Sequence, residues 1–400
     1  MRRQTTASRW LQWSYWWYYA AIGCLIPYLA LYYRVLQLSG LQIGALIAVL
    51  PLGTALFAPL WGALADAFSA HRLVLRLALL LAALAALLLT WARSFETLLG
   101  VILLLSISAA GAPPLLDGYA MLISEREGRS YGRLRVWGSF GFIAAVWIVG
   151  WLMRERISTI FLIAYALSLL LAGLATVGLP PLRPRIAQPV WQGVHTLLRD
   201  RAVGALLLTA FLTTTSGSML SNFFSVYLVE IGGDARMVGT ASALAAISEL
   251  PVLIFGAWLL ERFASQRVLL LAILVYLLRF GLYSLPPAPG WVLAIQLLHG
   301  LSFGAYLMAS VTLAYQLAGR ERAATVQGLL TSSSFGFGAI LGSLLGGLLL
   351  DRVGAVGLFR VGTLGLVLAL LVYLVTLHWL AAPQSGTVQH RVERCFGSEG

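Results

Sequence analysis

The chain has 400 residues, of which 60% are apolar and 10% charged, and its formal net charge is +12. Soluble domains carry roughly 25% charged residues, so this balance excludes an ordinary soluble fold. The basic residues are 27 arginines without a lysine; they punctuate apolar runs instead of forming one polar face, which also argues against a nucleic-acid surface.

About 20 apolar residues cross a hydrocarbon core. Runs of that kind predict twelve membrane spans, at 10–33, 41–64, 73–92, 97–121, 136–153, 157–179, 202–229, 237–260, 268–285, 291–317, 325–350 and 355–380. The first follows Arg2, Arg3 and Arg9 but is too long for a signal-peptide core and lacks a small-residue cleavage site, so it reads as a retained helix. It carries Tyr15-Trp16-Trp17-Tyr18-Tyr19. Consecutive aromatics cover every helix face, so most serve packing and the interface belt; Tyr19 is the candidate to stack on a flat solute.

After span two the loop reads Gly62 to Asp66, then on to Arg72. The glycine would let two helices approach closely, and the aspartate would cap a neighbouring helix. Span four holds Asp117, and span five opens with Arg135. Residues 180–201, with Pro180, Pro181, Pro184 and Pro189, read as a cytoplasmic linker between a first bundle, 1–179, and a second, 202–380. His195 and Asp200 have the spacing of an acyltransferase motif but lie in ordinary polar sequence.

In the second bundle, Glu249 precedes Pro251, where a helix break would free backbone groups. Arg279 lies in span nine and His299 in span ten. Gly342–Gly347 reads as small-residue helix packing, not a phosphate loop. Residues 381–400 read as a polar cytoplasmic tail. Cys24 and Cys395 are too far apart in character to bridge, no metal spacing exists, and no cofactor is expected.

Arginine placement sets orientation. With the N-terminus in the cytoplasm, inside segments hold eighteen arginines, outside loops six, and three (Arg76, Arg279, Arg360) fall within spans. Both termini are therefore expected inside, which requires an even number of spans. A repeat supports two equivalent halves: residues around Gly44 match those around Gly239, Arg72 matches Arg267, and Ser139–Phe142 recurs as Ser334–Phe337, all at an offset of 195. Halves of this kind place a substrate site near the midplane between them.

Ionisable groups within spans cost roughly 2.5–3.5 kcal/mol each on insertion scales and normally face a partner or a wet cavity. Without lysine, the expected pairs are Asp117 with Arg135, and Glu249 with Arg279 or His299.

The strings GAPPLLDGYA…YGRLRVWGSFGF and SNFFSVYL…ISELPVLIF…YLLRFGLY…LLHG resemble the lactose-permease branch of the major facilitator superfamily, and within it the phenylpropionate permeases more closely. The resemblance runs from span one to span eleven. It implies an all-α integral membrane fold of twelve helices in two six-helix pseudo-symmetric halves. It also implies substrate-contact roles for Tyr19, Asp117, Arg135, Phe142, Glu249 and His299. Glu249, Asp117, Arg279 and His299 would serve proton coupling, and Gly62, Asp66 and Arg72 a gating loop in which Ala67 replaces the usual arginine. The departures are specific. A proton-carrying glutamate of the lactose permeases is Ser302 here, a lysine is Gln296, and two acids of span seven are Thr214 and Gly217.

The expected function is proton-coupled import of a small organic solute by alternating access in a bacterial-type inner membrane, both termini cytoplasmic, by a monomer. The solute is an aromatic carboxylate, or a sugar or nucleoside. The alternatives are an efflux antiporter, and a membrane sensor or enzyme on a transporter-like scaffold. No metal cluster, nucleophile dyad or appended soluble domain favours the last.

Overall fold

A computed structural model describes residues 4–128, 130–154, 157–182, 194–285 and 288–380. The expected tail and most of the linker, with Cys395, lie outside the described residues. Fourteen α-helical segments run in chain order among the described residues: α1 Gln4–Val35, α2 Gly40–Ala67, α3 His71–Leu89, α4 Phe95–Ala109, α5 Ala112–Glu127, α6 Tyr131–Met153, α7 Ile160–Ala175, α8 Val194–Arg199, α9 Arg201–Glu230, α10 Ala235–Arg262, α11 Ser265–Ser284, α12 Pro289–Gln296, α13 Ala305–Thr331 and α14 Ala339–Leu380. No strand occurs among them.

Ten helical stretches among the described residues are long and apolar enough to cross a membrane. Twelve crossings follow for two physical reasons. The stretch Arg322–Leu380 has 59 residues, about 90 Å at 1.5 Å per residue and far more than a bilayer core needs. It turns at Gly354, whose φ of 69° lies in the left-handed region that glycine adopts freely, so it is two spans. The remaining one is α1, 32 residues whose hydropathy is diluted by tyrosine and tryptophan. Gly319, with φ 70°, makes the turn before Arg322 in the same way.

Span four is broken. α4 ends before Gly111, and Pro113 and Pro114 start α5, where a missing N–H costs nothing. Span ten is also discontinuous: α12 gives way to a wider π-helical turn at Gly300–Gly304. A second π-helical segment, Ser332–Gly338, lies within span eleven. Such turns concentrate at functional sites.

The outer surface is apolar as a lipid-facing one must be. On α10, Leu253, Ile254, Phe255 and Trp258 are 55–72% exposed. Asp200, half of the supposed acyltransferase pair, is the N-cap of α9, its carboxylate accepting from the Ala202 and Val203 N–H groups.

The halves meet at one end of the bundle. There α2 packs on α14, α6 on α10, and α1 on α9. A Cβ on Gly44 would meet the Ser343 carbonyl, and one on Gly239 would lie 2.7 Å from the Val146 carbonyl. Both sites therefore need glycine, and the repeat matches them to each other. The Asp351 carboxylate accepts the Gly40 N–H at 2.6 Å and the Leu41 N–H at 3.0 Å. Glu230 pairs with Arg34 at 3.6 Å. Toward the opposite end the halves part: α5 packs on α1, α3 and α6, and α13 on α9 and α11.

Candidate functional site

Between the halves lies a cavity of about 670 Å³, within the 300–1,000 Å³ range of small-molecule sites. The first half contributes an apolar wall, including Ile26, Leu50 and Pro51, relieved by Thr54. The second contributes Thr213, Thr214, Ser218, Ser221 and Asn222 from α9, Tyr276, Tyr306, His299 and Ser332, with Phe303 and Phe335 as flat faces. His299 is the one ionisable side chain of the lining apart from the tyrosines.

Several of these groups are pre-positioned. Asn222 Nδ2 donates to Ser343 Oγ at 2.8 Å, leaving its amide oxygen as an acceptor. The Thr214 and Tyr306 hydroxyls lie 3.2 Å apart. The His299 ring stacks on Phe303. Two buried lining atoms, Thr213 Oγ1 and His299 Nδ1, have no hydrogen-bond partner within the protein. An unpaired buried polar atom costs about 1–3 kcal/mol, and both lie just beneath the cavity surface.

The ionisable residues separate into two clusters. In the second half, His299 Nε2 lies 2.9 Å from Glu249 Oε1, as the pairing expectation allowed. Arg279 is elsewhere. It is 4% exposed, donates to Gln296 Oε1 at 2.5 Å and to Ser302 Oγ at 3.4 Å, and stands over the Tyr283 ring. The two positions that depart from the lactose-permease pattern are thus its neutral partners. Thr214 and Gly217, the other departures, line the cavity.

In the first half the expected Asp117–Arg135 ion pair is not formed. Asp117 Oδ1 accepts from the Tyr15 hydroxyl at 2.6 Å and from the Tyr131 hydroxyl at 2.9 Å. Arg135 instead donates to the Tyr19 hydroxyl at 2.6 Å and lies over the same ring. Two of the three intervening tyrosines, Tyr15 and Tyr19, come from the aromatic run of α1, which packs on both α5 and α6, and Tyr131 opens α6. This cluster and Phe142 are outside the cavity lining; Phe142 lies against α1, with its backbone on Gly23.

The loop residues also depart from expectation. A Cβ on Gly62 would meet nothing within 4 Å, so no close helix approach occurs there. Asp66 bonds the side chain of His71, the first residue of α3, at 2.7 Å and does not cap its backbone. Arg72 donates to the Leu179 carbonyl. The hydroxyl wall of α9 was missed in the sequence. Its signal is the run Thr213-Thr214-Thr215-Ser216-Gly217-Ser218 inside an apolar span.

A solute-sized cavity shared by two six-helix halves, closed at one end and flared at the other, defines a multi-pass membrane transporter. Its sequence places it in a known group: residues 8–361 match the MFS_1 like family, and the chain belongs to that family. It is 34% identical to a maltose permease of Geobacillus stearothermophilus over 85% of this chain and 87% of that protein. With a probable 3-phenylpropionic acid transporter of Escherichia coli it shares 24% identity over 73% and 78%. A crystal structure of the nucleoside transporter NupG superposes with a TM-score of 0.85 at 19% identity, covering 92% of this chain and 99% of that one; this likeness is one of fold.

Proposed function

We propose that the protein imports an uncharged polyhydroxylated solute, a sugar or a nucleoside, in symport with a proton. The observation that carries this reading is the cavity wall: hydroxyls, one amide and one imidazole around flat aromatic faces, with Thr213 Oγ1 and His299 Nδ1 unpaired. Hydroxyl groups both donate and accept, and so suit such a lining; rings of sugars and bases pack on Phe303 and Phe335. The aromatic-carboxylate alternative would leave its charge without a cation in this wall, since Arg279 is already bound by Gln296. The relation to the maltose permease supports the sugar branch.

Glu249 and His299 form the proton-exchanging pair. His299 touches both the carboxylate and the cavity, so a solute against its ring changes the environment of the pair directly. Arg135, Tyr19 and Asp117 form a second polar cluster that keeps α1, α5 and α6 in register. With the arginine-rich segments inside, the protein sits in the inner membrane with both termini cytoplasmic, and the flared end opens to the cytoplasm. The sealed end is then where solute enters after the halves rock.

The test is uptake into vesicles with an imposed proton gradient, using maltose, nucleosides and phenylpropionate. Gradient-driven accumulation of a sugar or nucleoside, weakened about tenfold in affinity by Asn222→Ala (roughly 1–1.5 kcal/mol for one hydrogen bond), supports the reading. Selective uptake of phenylpropionate, or accumulation indifferent to the gradient, overturns it.

A further inference from the structure

A second hollow, of about 410 Å³, lies at the flared end of the first half, where α3 begins; His71, Arg72, Arg76, Tyr119 and Pro181 are in its wall. Arg76 Nε donates to Thr176 Oγ1 at 2.8 Å, and Arg72 to the Leu179 carbonyl. Each guanidinium has five N–H donors, so most remain available. Among the described residues neither arginine has a carboxylate within ion-pair distance. The acid nearest in sequence, Asp66, is engaged by His71 Nε2.

Two buried polar atoms of the wall are also unpaired. The Tyr119 side chain is fully buried and His71 is 7% exposed, yet the Tyr119 hydroxyl and His71 Nδ1 lack a hydrogen-bond partner. Arg72 stands beside that hydroxyl without a bond of normal geometry. α3 starts at Ala70 with no capping side chain, so its first N–H groups add a positive end. From this point Leu73, Leu77, Leu80, Leu84 and Leu88, 42–57% exposed, run the length of α3. Their spacing of three and four puts them on one face, a track for an acyl chain.

We propose that this hollow holds the phosphate of an anionic phospholipid head group. The spare N–H groups of Arg72 and Arg76 bind its non-bridging oxygens as forks, and the Tyr119 hydroxyl and the first turn of α3 donate to the same anion. The lipid tail lies along the leucine face. The leucine track is what selects a lipid over a free phosphate ion, and basic hollows at the cytoplasmic level of a bundle are suited to such head groups.

The test titrates the purified full chain, delipidated in detergent, with phosphatidylglycerol, phosphatidylcholine and inorganic phosphate in turn. Retained lipid is read by native mass spectrometry and melting temperature in parallel. The wild type should retain phosphatidylglycerol at least tenfold better than phosphatidylcholine. Arg72→Gln with Arg76→Gln should lose that preference, and Tyr119→Phe should reduce it several-fold. Melting in lipid-free detergent shows whether the double variant folds; if it does not, Tyr119→Phe, which removes a hydroxyl without a protein partner, carries the comparison. Equal retention of the two lipids, or a preference unchanged in the variant compared, overturns the proposal. Stabilisation by inorganic phosphate equal to that by phosphatidylglycerol overturns the lipid as the source of the anion.

Discussion

Asp351→Ala should loosen the closed end without unfolding either half. The carboxylate holds the Gly40 and Leu41 N–H groups at 2.6 and 3.0 Å across the contact between halves. Loss of a cap costs about 0.5–2 kcal/mol, and an exposed charge at a helix N-terminus contributes about 0.3–1 kcal/mol. Asp351 is exposed, so the sum falls near 1–2 kcal/mol, a factor of about 5–30 in an equilibrium. α2 itself keeps its start, because Ser39 and Gln42 form a capping box of their own. The loss therefore falls on the contact between halves. Spin labels at Val35→Cys and Val353→Cys, both exposed at that end, read the separation by pulsed dipolar spectroscopy in a cysteine-free background. The ratio of separated to closed states should rise about 5–30-fold, with Asp351→Asn intermediate. A distance distribution unchanged in Asp351→Ala, at unchanged melting temperature, would falsify the latch.

Three further outcomes are expected. Gly44→Val and Gly239→Val drive a side chain into the Ser343 and Val146 carbonyls; overpacking costs about 1–3 kcal/mol, seen as lower melting temperatures, whereas Gly62→Val, with open space around it, leaves melting unchanged. Equal effects at all three sites would refute the packing argument. Glu249→Gln should abolish gradient-driven accumulation while preserving solute exchange at equilibrium, measured in vesicles with and without a pH jump; accumulation at wild-type level removes Glu249 from the proton path. Gln296→Leu takes the nearest acceptor from buried Arg279, a charged hydrogen bond of roughly 1.5–3 kcal/mol, and should lower the melting temperature markedly; wild-type melting would show that Ser302 and Tyr283 suffice.

Much of the fold could be read from the chain because lipid imposes length and apolarity on every crossing. The offset of 195 went further. Gly44 and Gly239, picked out only as matching letters, are both residues where opposite halves come backbone to backbone. Pairing of ionisable groups was less legible. Asp117 and Arg135 carry opposite charge on adjacent spans, but tyrosine hydroxyls can serve either one, and Tyr15, Tyr131 and Tyr19 take those places. The cavity wall was hidden for a related reason. Serine and threonine in apolar helices commonly return their hydroxyls to the preceding turn, as Thr215 and Ser343 do. Only packing separates those from Thr213, whose hydroxyl is left unpaired.

The Ser-Phe-Gly-Phe string is wound differently in its two copies. At Ser139–Phe142 it lies in the regular helix α6, where Gly138 and Gly141 are pressed against α1. At Ser334–Phe337 it lies in the π-helical segment, and Phe335 and Gly336 look into the cavity. A duplicated ancestor thus assigned one copy to joinery and freed the other for recognition. A π turn already holds one residue more than an α turn. Substitutions within 332–338 can therefore reshape what the cavity accepts while the matching segment of the first half goes on holding its helices together. Change of diet and constancy of frame are kept on separate copies of the same four letters.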